Sequence, residues 1–159
     1  MMLYPPSQYL ISVVMPCLEH LRWTEQNLGI VLAIIPYAMS ESSHEVSEPF
    51  GPYQMSHEQH WAIWDNYLAQ DAELASRVRG LASQHRFIDN PDLELSLNAG
   101  YATAIAATGL QAYSNQTKLP QDIFELAFLW QRCINHNLPI DVFMSLYPVL
   151  KDQWSNIAA

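Results

Sequence analysis

Residues 28–55 read LGIVLAIIPYAMSESSHEVSEPFGPYQM, and how this stretch folds decides how the rest is read. Its first twelve residues carry no charge. Leu28, Val31, Leu32 and Ile35 recur at helical spacing, which predicts a helix turned into a core. Pro36 withholds an N–H, so the last turn of that helix is expected to be distorted. The run ends on Glu41, flanked by Ser40, Ser42 and Ser43, and a polar loop then leads into Gly51-Pro52-Tyr53-Gln54-Met55. A carboxylate at a helix C-terminus faces the negative end of the macrodipole. A side chain set against its local preference points to function. Only the PFGPYQM segment has the Gly, Pro and aromatic content of a short β-element, so a hairpin is expected near residues 50–56.

Outward from this stretch the chain reads as helices. A first one covers residues 8–21, kinked or split by Pro16. Thr24 is the expected N-cap of the helix that ends at Glu41. Ser56 followed by Gln59 has capping-box spacing, with Trp61, Ile63, Trp64 and Leu68 as the apolar face beyond it. Another helix is expected over residues 71–84. Asn90-Pro91-Asp92 supplies a cap, an N1 proline and an acid near the positive end of the dipole. The helix that follows, to about residue 113, is rich in alanine and contains Gly100 and Gly109. Small side chains let neighbours approach closely, so Gly100, Ala102, Ala104, Ala106 and Ala107 are expected in the interior. LPQDIF and LPIDVF repeat the N1-proline pattern at Pro120 and Pro139. The fold class is mainly α: a helical bundle around a central small-residue helix, with one short hairpin, in a single domain over residues 1–159.

Composition narrows the function. Half of the 159 residues are apolar and the formal net charge is −9. Such a field repels nucleic acid and anionic lipid, and no basic stripe interleaved with aromatics offsets it. No apolar run reaches the ~18 residues of a membrane span. MMLYPPSQYL lacks the charged and apolar regions of a signal peptide, so the protein is expected to be made in a cytoplasm. Cys17 and Cys133 have no metal-ligand spacing and read as buried thiols.

Glu41-Ser42, the polar loop, and Gly51, Tyr53, Gln54 and Met55 together resemble the lysozyme-like superfamily, especially lytic transglycosylases and phage muramidase-like proteins. The resemblance extends over roughly residues 8–135. YLISVVMPCLEHLRWTEQNLGIVLAIIPYAMSES is similar to the leading helices that deliver the glutamate. DNPDLELSLNAGYATAIA is similar to the small-residue helix behind the cleft. The resemblance implies an α+β lysozyme-like fold acting on a peptidoglycan glycan strand, with no cofactor and no metal. Glu41 is then the catalytic acid and later the base. Ser42, Tyr53 and Gln54 bind substrate, with Tyr53 as an aromatic wall and Gln54 as an amide for N-acetyl groups. In the superfamily a late segment carries a tyrosine; here RCINHN at 132–137 has Ile134 in that place, and Tyr101 or Tyr113 stands as its substitute. The acidic charge suits a domain delivered to the wall in a virion or by a secretion apparatus, since free wall-degrading enzymes gain encounter rate from positive charge.

Two other readings stay open. HEQH at 57–60 is not a zinc-protease pattern, because its histidines are three apart, yet His57 and His60 could share a metal, with His44, Glu45 and Glu48 on the preceding loop. The chain could also be a non-enzymatic helical virion component or adaptor whose acidic surface binds a basic protein partner.

Overall fold

The computed structural model describes residues 5–41, 50–114, 118–134 and 137–158. The first helical stretch runs as α1 (Pro6–Tyr9), a π-helical turn (Leu10–Val14) and α2 (Met15–Leu21). Pro16 cannot donate to the carbonyl four residues back, and its ring crowds that carbonyl. Widening the preceding turn to π geometry accommodates both effects without breaking the helix. Arg22 ends α2 in the left-handed region (φ 62°), with the Trp23 N–H returning to the Leu18 carbonyl at 2.9 Å. That is the bond of a Schellman closure.

α3 (Gln26–Glu41) starts later than a Thr24 cap implies, and the Glu25 carbonyl accepts from the Gly29 N–H at 3.2 Å. Every residue from Leu28 to Pro36 is buried. A helix apolar on all sides belongs at a centre, and α3 packs against α1, the π turn and three helices further along the chain. The remaining helices are α4 (His57–Asn66), a 3₁₀ turn (Leu68–Gln70), α5 (Ala72–Leu81), α6 (Gln84–Asp89), α7 (Pro91–Leu97), α8 (Ala99–Tyr113), α9 (Ile123–Ile134) and α10 (Ile140–Ala158).

α8 is the second buried axis. Residues 101–110 are all buried, including Ala102, Ala104, Ala106 and Ala107, while Gly100 is half-buried. α2, α4, α5, α7 and α9 pack around it, and α3 also touches it. The fold is mainly α-helical, and among the described residues no helix is long and apolar enough to cross a membrane.

Several boundaries differ from those the sequence predicts. The run from 91 to 113 is two helices, because Asn98 leaves helical geometry and caps α8 through its side chain, 3.0 Å from the Tyr101 N–H. The 71–84 segment stops at Leu81, and Ser83 caps a separate α6. Pro120 is not the first residue of α9; Asp122 holds that start, its carboxylate accepting from the N–H groups of Phe124 and Glu125, both at 3.1 Å. Pro139 precedes α10 and its carbonyl accepts from Val142.

The expected β-hairpin does not form. Residues 50–55 form a turn closed by one antiparallel bridge pair, Phe50 with Met55, and there are no strands among the described residues. Pro52 has no N–H, and Gly51 and Gln54 have positive φ (75° and 47°), so residues 51–54 cannot continue a ladder. Ser56, immediately after the bridge, is already committed to capping α4.

Candidate functional site

The 50–55 turn is held from four sides. Its own closure is the pair of bonds between Phe50 and Met55, at 2.9 and 3.1 Å, with the Gln54 N–H on the Gly51 carbonyl at 3.0 Å. At Gly51 a Cβ would lie 2.0 Å from the Leu95 carbonyl oxygen, so α7 backbone fills the space a side chain needs. The Tyr53 ring meets Trp130 of α9 edge-on with centroids 6.0 Å apart. Its hydroxyl lies 3.2 Å from Thr103 of α8 and donates to the Leu32 carbonyl of α3 at 2.7 Å.

The Leu32 bond answers a defect. In an α-helix the Leu32 carbonyl would accept from the N–H of residue 36, and residue 36 is proline. The carbonyl is buried in a core helix and would otherwise be orphaned. Tyr53 supplies the missing donor. The proline that the sequence marks as a distortion is thus the point where the GPYQM turn docks onto the glutamate-bearing helix.

Glu41 itself is exposed at the end of α3, one residue after Ser40, whose hydroxyl turns back to the Tyr37 carbonyl at 2.7 Å. Ser42 lies outside the described residues, as do His44, Glu45 and Glu48. Gln54 is half-buried on the turn. Tyr53 and Tyr101, expected along a glycan cleft, are instead core side chains, 1% and 0% exposed. They are placed to support a surface, not to line it. Tyr113 is partly exposed at the end of α8.

A polar cluster that the sequence does not announce lies behind α4. His57 and His60 occupy the first turn of α4, and both aim Nδ1 at the Asp92 carboxylate, at 2.5 and 2.8 Å. His60 Nε2 is 2.7 Å from the Tyr101 hydroxyl, which also accepts from Trp64 Nε1 at 2.8 Å. Indole is a donor only, so the Tyr101 proton is available to His60 Nε2 and the His60 Nδ1–H goes to Asp92. That chain is complete with a neutral His60. Burial lowers the His60 pKa, against the opposing pull of Asp92, and burial raises the Tyr101 pKa. The shared carboxylate comes from the residue after the α7 N1 proline. The i, i+3 spacing of the histidines is visible in sequence; their common partner 32–35 residues later is not.

A second network fixes α6 to α7. Glu94 is fully buried and accepts from the Ser83 N–H (3.1 Å), Arg86 Nε (2.7 Å) and Asn98 Nδ2 (3.0 Å). Burial works to raise its pKa, yet the three donors outweigh it and the carboxyl stays below the usual range. Cys17 and Cys133 are buried thiols, both pushed up to about 12 by desolvation. Among the described residues no group of three His, Cys, Asp or Glu side chains is arranged to hold a metal ion.

Set against protein-family models, curated proteins and solved structures, the chain has no match.

Proposed function

We propose that this chain is a lysozyme-like, peptidoglycan-cleaving muramidase of the lytic-transglycosylase type, delivered in a virion or by a secretion apparatus. Glu41 protonates the glycosidic oxygen as the bond breaks. As a carboxylate it then takes the proton from the sugar's own hydroxyl, which closes an anhydro ring, so no second carboxylate is needed. Ser42 and Gln54 position the strand, Gln54 through its side-chain amide on an N-acetyl group. Bound glycan would cover the exposed Glu41 and exclude water from the reacting bond.

One observation carries this reading. The Tyr53–Leu32 bond, created by Pro36, joins the GPYQM turn to the helix that ends in Glu41. The two halves of the motif, separated in sequence by a polar loop, are thereby fastened to one core. The edge contact of Tyr53 with Trp130 and the bond from Gln59 Nε2 to the Cys133 carbonyl at 3.1 Å add the end of α9, which leads into RCINHN, to the same assembly. These contacts support a lysozyme-like arrangement of the four segments.

The test is turnover of purified peptidoglycan. Glu41→Gln is nearly isosteric at an exposed helix end and should leave the fold intact while rate falls by about 10²–10⁴. Products with anhydro ends mark a transglycosylase, and reducing ends mark a hydrolase. A wild-type chain inactive on any peptidoglycan, or an active Glu41→Gln variant, overturns the enzyme reading. The acidic helical adaptor would then be the better account.

A further inference from the structure

Of the five tryptophans in the chain, only Trp61 is exposed, at 38%. It sits mid-way along α4, whose inner side is set by the buried His60 and Ile63. The outer side carries Glu58, Trp61, Ala62 and Asp65, all exposed. Residues three and four apart on a helix are neighbours, with Cβ atoms ~5–6 Å apart. The indole therefore lies between two carboxylates, one a turn before it and one a turn after. Among the described residues neither Glu58 nor Asp65 enters an ion pair. The carboxylates of α7, by contrast, are answered within the fold, Asp92 by His57 and His60 and Glu94 by Arg86.

The indole also has a fixed neighbour. The His57 ring lies beside it, with centroids 5.9 Å apart and planes tilted by 57°, and His57 is itself bonded to Asp92. That bond ties the outer side of α4 to the start of α7. There Leu93 and Leu97, one turn apart, are 38% and 58% exposed. An indole, two carboxylates and two aliphatic side chains are thus presented on two packed helices.

Charge selects what can cover them. Residues 56–66 and 91–97 contain no lysine or arginine. A two-fold dimer brings the same patch of each copy together, so a second copy would set carboxylate against carboxylate. Nucleic acid and anionic lipid are repelled for the same reason. A guanidinium fits, because it is attracted to the face of an indole and to both carboxylates at once. Tryptophan and arginine are also the residues that most often dominate protein interfaces.

We propose that the outer face of α4, with the exposed leucines of α7, docks an arginine-bearing amphipathic segment of a partner protein. Its guanidinium lies over Trp61 between Glu58 and Asp65, and its apolar side chains cover Leu93 and Leu97. The docking goes beyond the glycan-cleaving reading and does not depend on it, since none of these residues takes part in that chemistry.

The experiment is calorimetric titration of the full chain with an amidated synthetic peptide, Leu-Ala-Arg-Leu-Leu-Arg-Arg repeated twice. Two counterparts accompany it, one with citrulline for every arginine and one with alanine for every leucine. Each should bind at least about tenfold more weakly than the parent peptide. Trp61→Ala should weaken binding of the parent by about tenfold or more, as truncating an interface anchor does. Glu58→Gln with Asp65→Asn, both at exposed positions, should lose a comparable factor with unchanged circular dichroism. Glu25→Gln with Asp152→Asn removes the same charge from exposed sites elsewhere. In ~0.15 M salt such distant charges are screened, so that chain should bind within about twofold of wild type. Wild type that ignores the arginine peptide overturns the proposal. So does equal weakening by the Glu25 and Asp152 changes, which would reduce the effect to bulk charge. A wild-type dimer in sedimentation that Trp61→Ala dissolves would give the face to a second copy and overturn it as well.

Discussion

At the scale of single residues, the Pro36–Tyr53 pair makes the sharpest prediction. Tyr53→Phe keeps the ring packing and removes the donor to the buried Leu32 carbonyl. An unmatched buried acceptor costs about 1–3 kcal/mol. Pro36→Ala restores the N–H that the helix lacks, so in that background Tyr53→Phe should cost much less. Chemical denaturation of the two single variants and the double variant reads the coupling directly; an additive cycle would mean that Tyr53 does not replace the proline's missing donor. Gly51 is the companion case. Gly51→Ala must place a Cβ 2.0 Å from the Leu95 carbonyl oxygen, in a backbone with φ at 75°. Strain and overpacking together should cost roughly 3 kcal/mol or more, measured by the same denaturation. Each of these residues is conspicuous in the sequence, and their roles are not. A proline in an apolar run signals a lost hydrogen bond, but which side chain repairs it depends on the helix register and on a partner twenty-one residues from the orphaned carbonyl. The same long-range dependence hides Asp92 from the two histidines that share it.

At the scale of elements, local chemistry that closes within four residues was legible. Ser56 and Gln59 form both halves of a capping box, at 3.1 and 2.9 Å, and Asn90 caps α7 directly before its N1 proline. Ser56→Ala should therefore cost about 1 kcal/mol in thermal or chemical melts. The central placement of α8 was legible too, from its run of small residues. Ala104 is fully buried, and Ala104→Phe should overpack the site by about 1–3 kcal/mol; an unchanged melting temperature would make α8 peripheral. What periodicity missed is where a tertiary partner outbids helix propensity. Asn98 breaks the predicted 91–113 helix because its side-chain N–H₂ bonds the Leu81 carbonyl (2.8 Å) and Glu94 (3.0 Å) while its oxygen caps α8. The hairpin expected at 50–56 failed for a related reason. Its residues have the composition of a β-element, but docking on α3, α7, α8 and α9 fixes them as a turn before any ladder can extend.

At the scale of the whole molecule, the buried groups set a pH window for stability. The folded-state pKa of His60 is lowered. Below the unfolded value of about 6.5 the unfolded chain takes up a proton that the folded chain refuses, so stability falls as pH drops through that region. Glu94, also lowered, contributes stability above about 4.5 that is lost as pH falls through its folded pKa. Cys17 and Cys133 are raised to about 12, so their contribution is complete below the unfolded thiol range near 8.5 and disappears as pH climbs toward 12. The titratable groups facing His60 are Asp92, His57 and Tyr101, and Asp92 moderates the acid limb without reversing it. A competing effect has the opposite sign. With a formal charge of −9 and an isoelectric point near 4.9, acidification also relieves self-repulsion among surface carboxylates. Salt separates the two, since a Debye length of ~8 Å at 0.15 M suppresses the surface effect and leaves buried groups almost untouched. In ~0.15 M salt the melting temperature should be highest between about pH 6.5 and 8.5 and fall on both sides. His60→Gln should be less stable than wild type at pH 7, through the lost bonds to Asp92 and Tyr101, yet show a flatter profile between about pH 6.5 and 5. Parallel wild-type and His60→Gln curves over that interval would mean that His60 does not govern the acid limb.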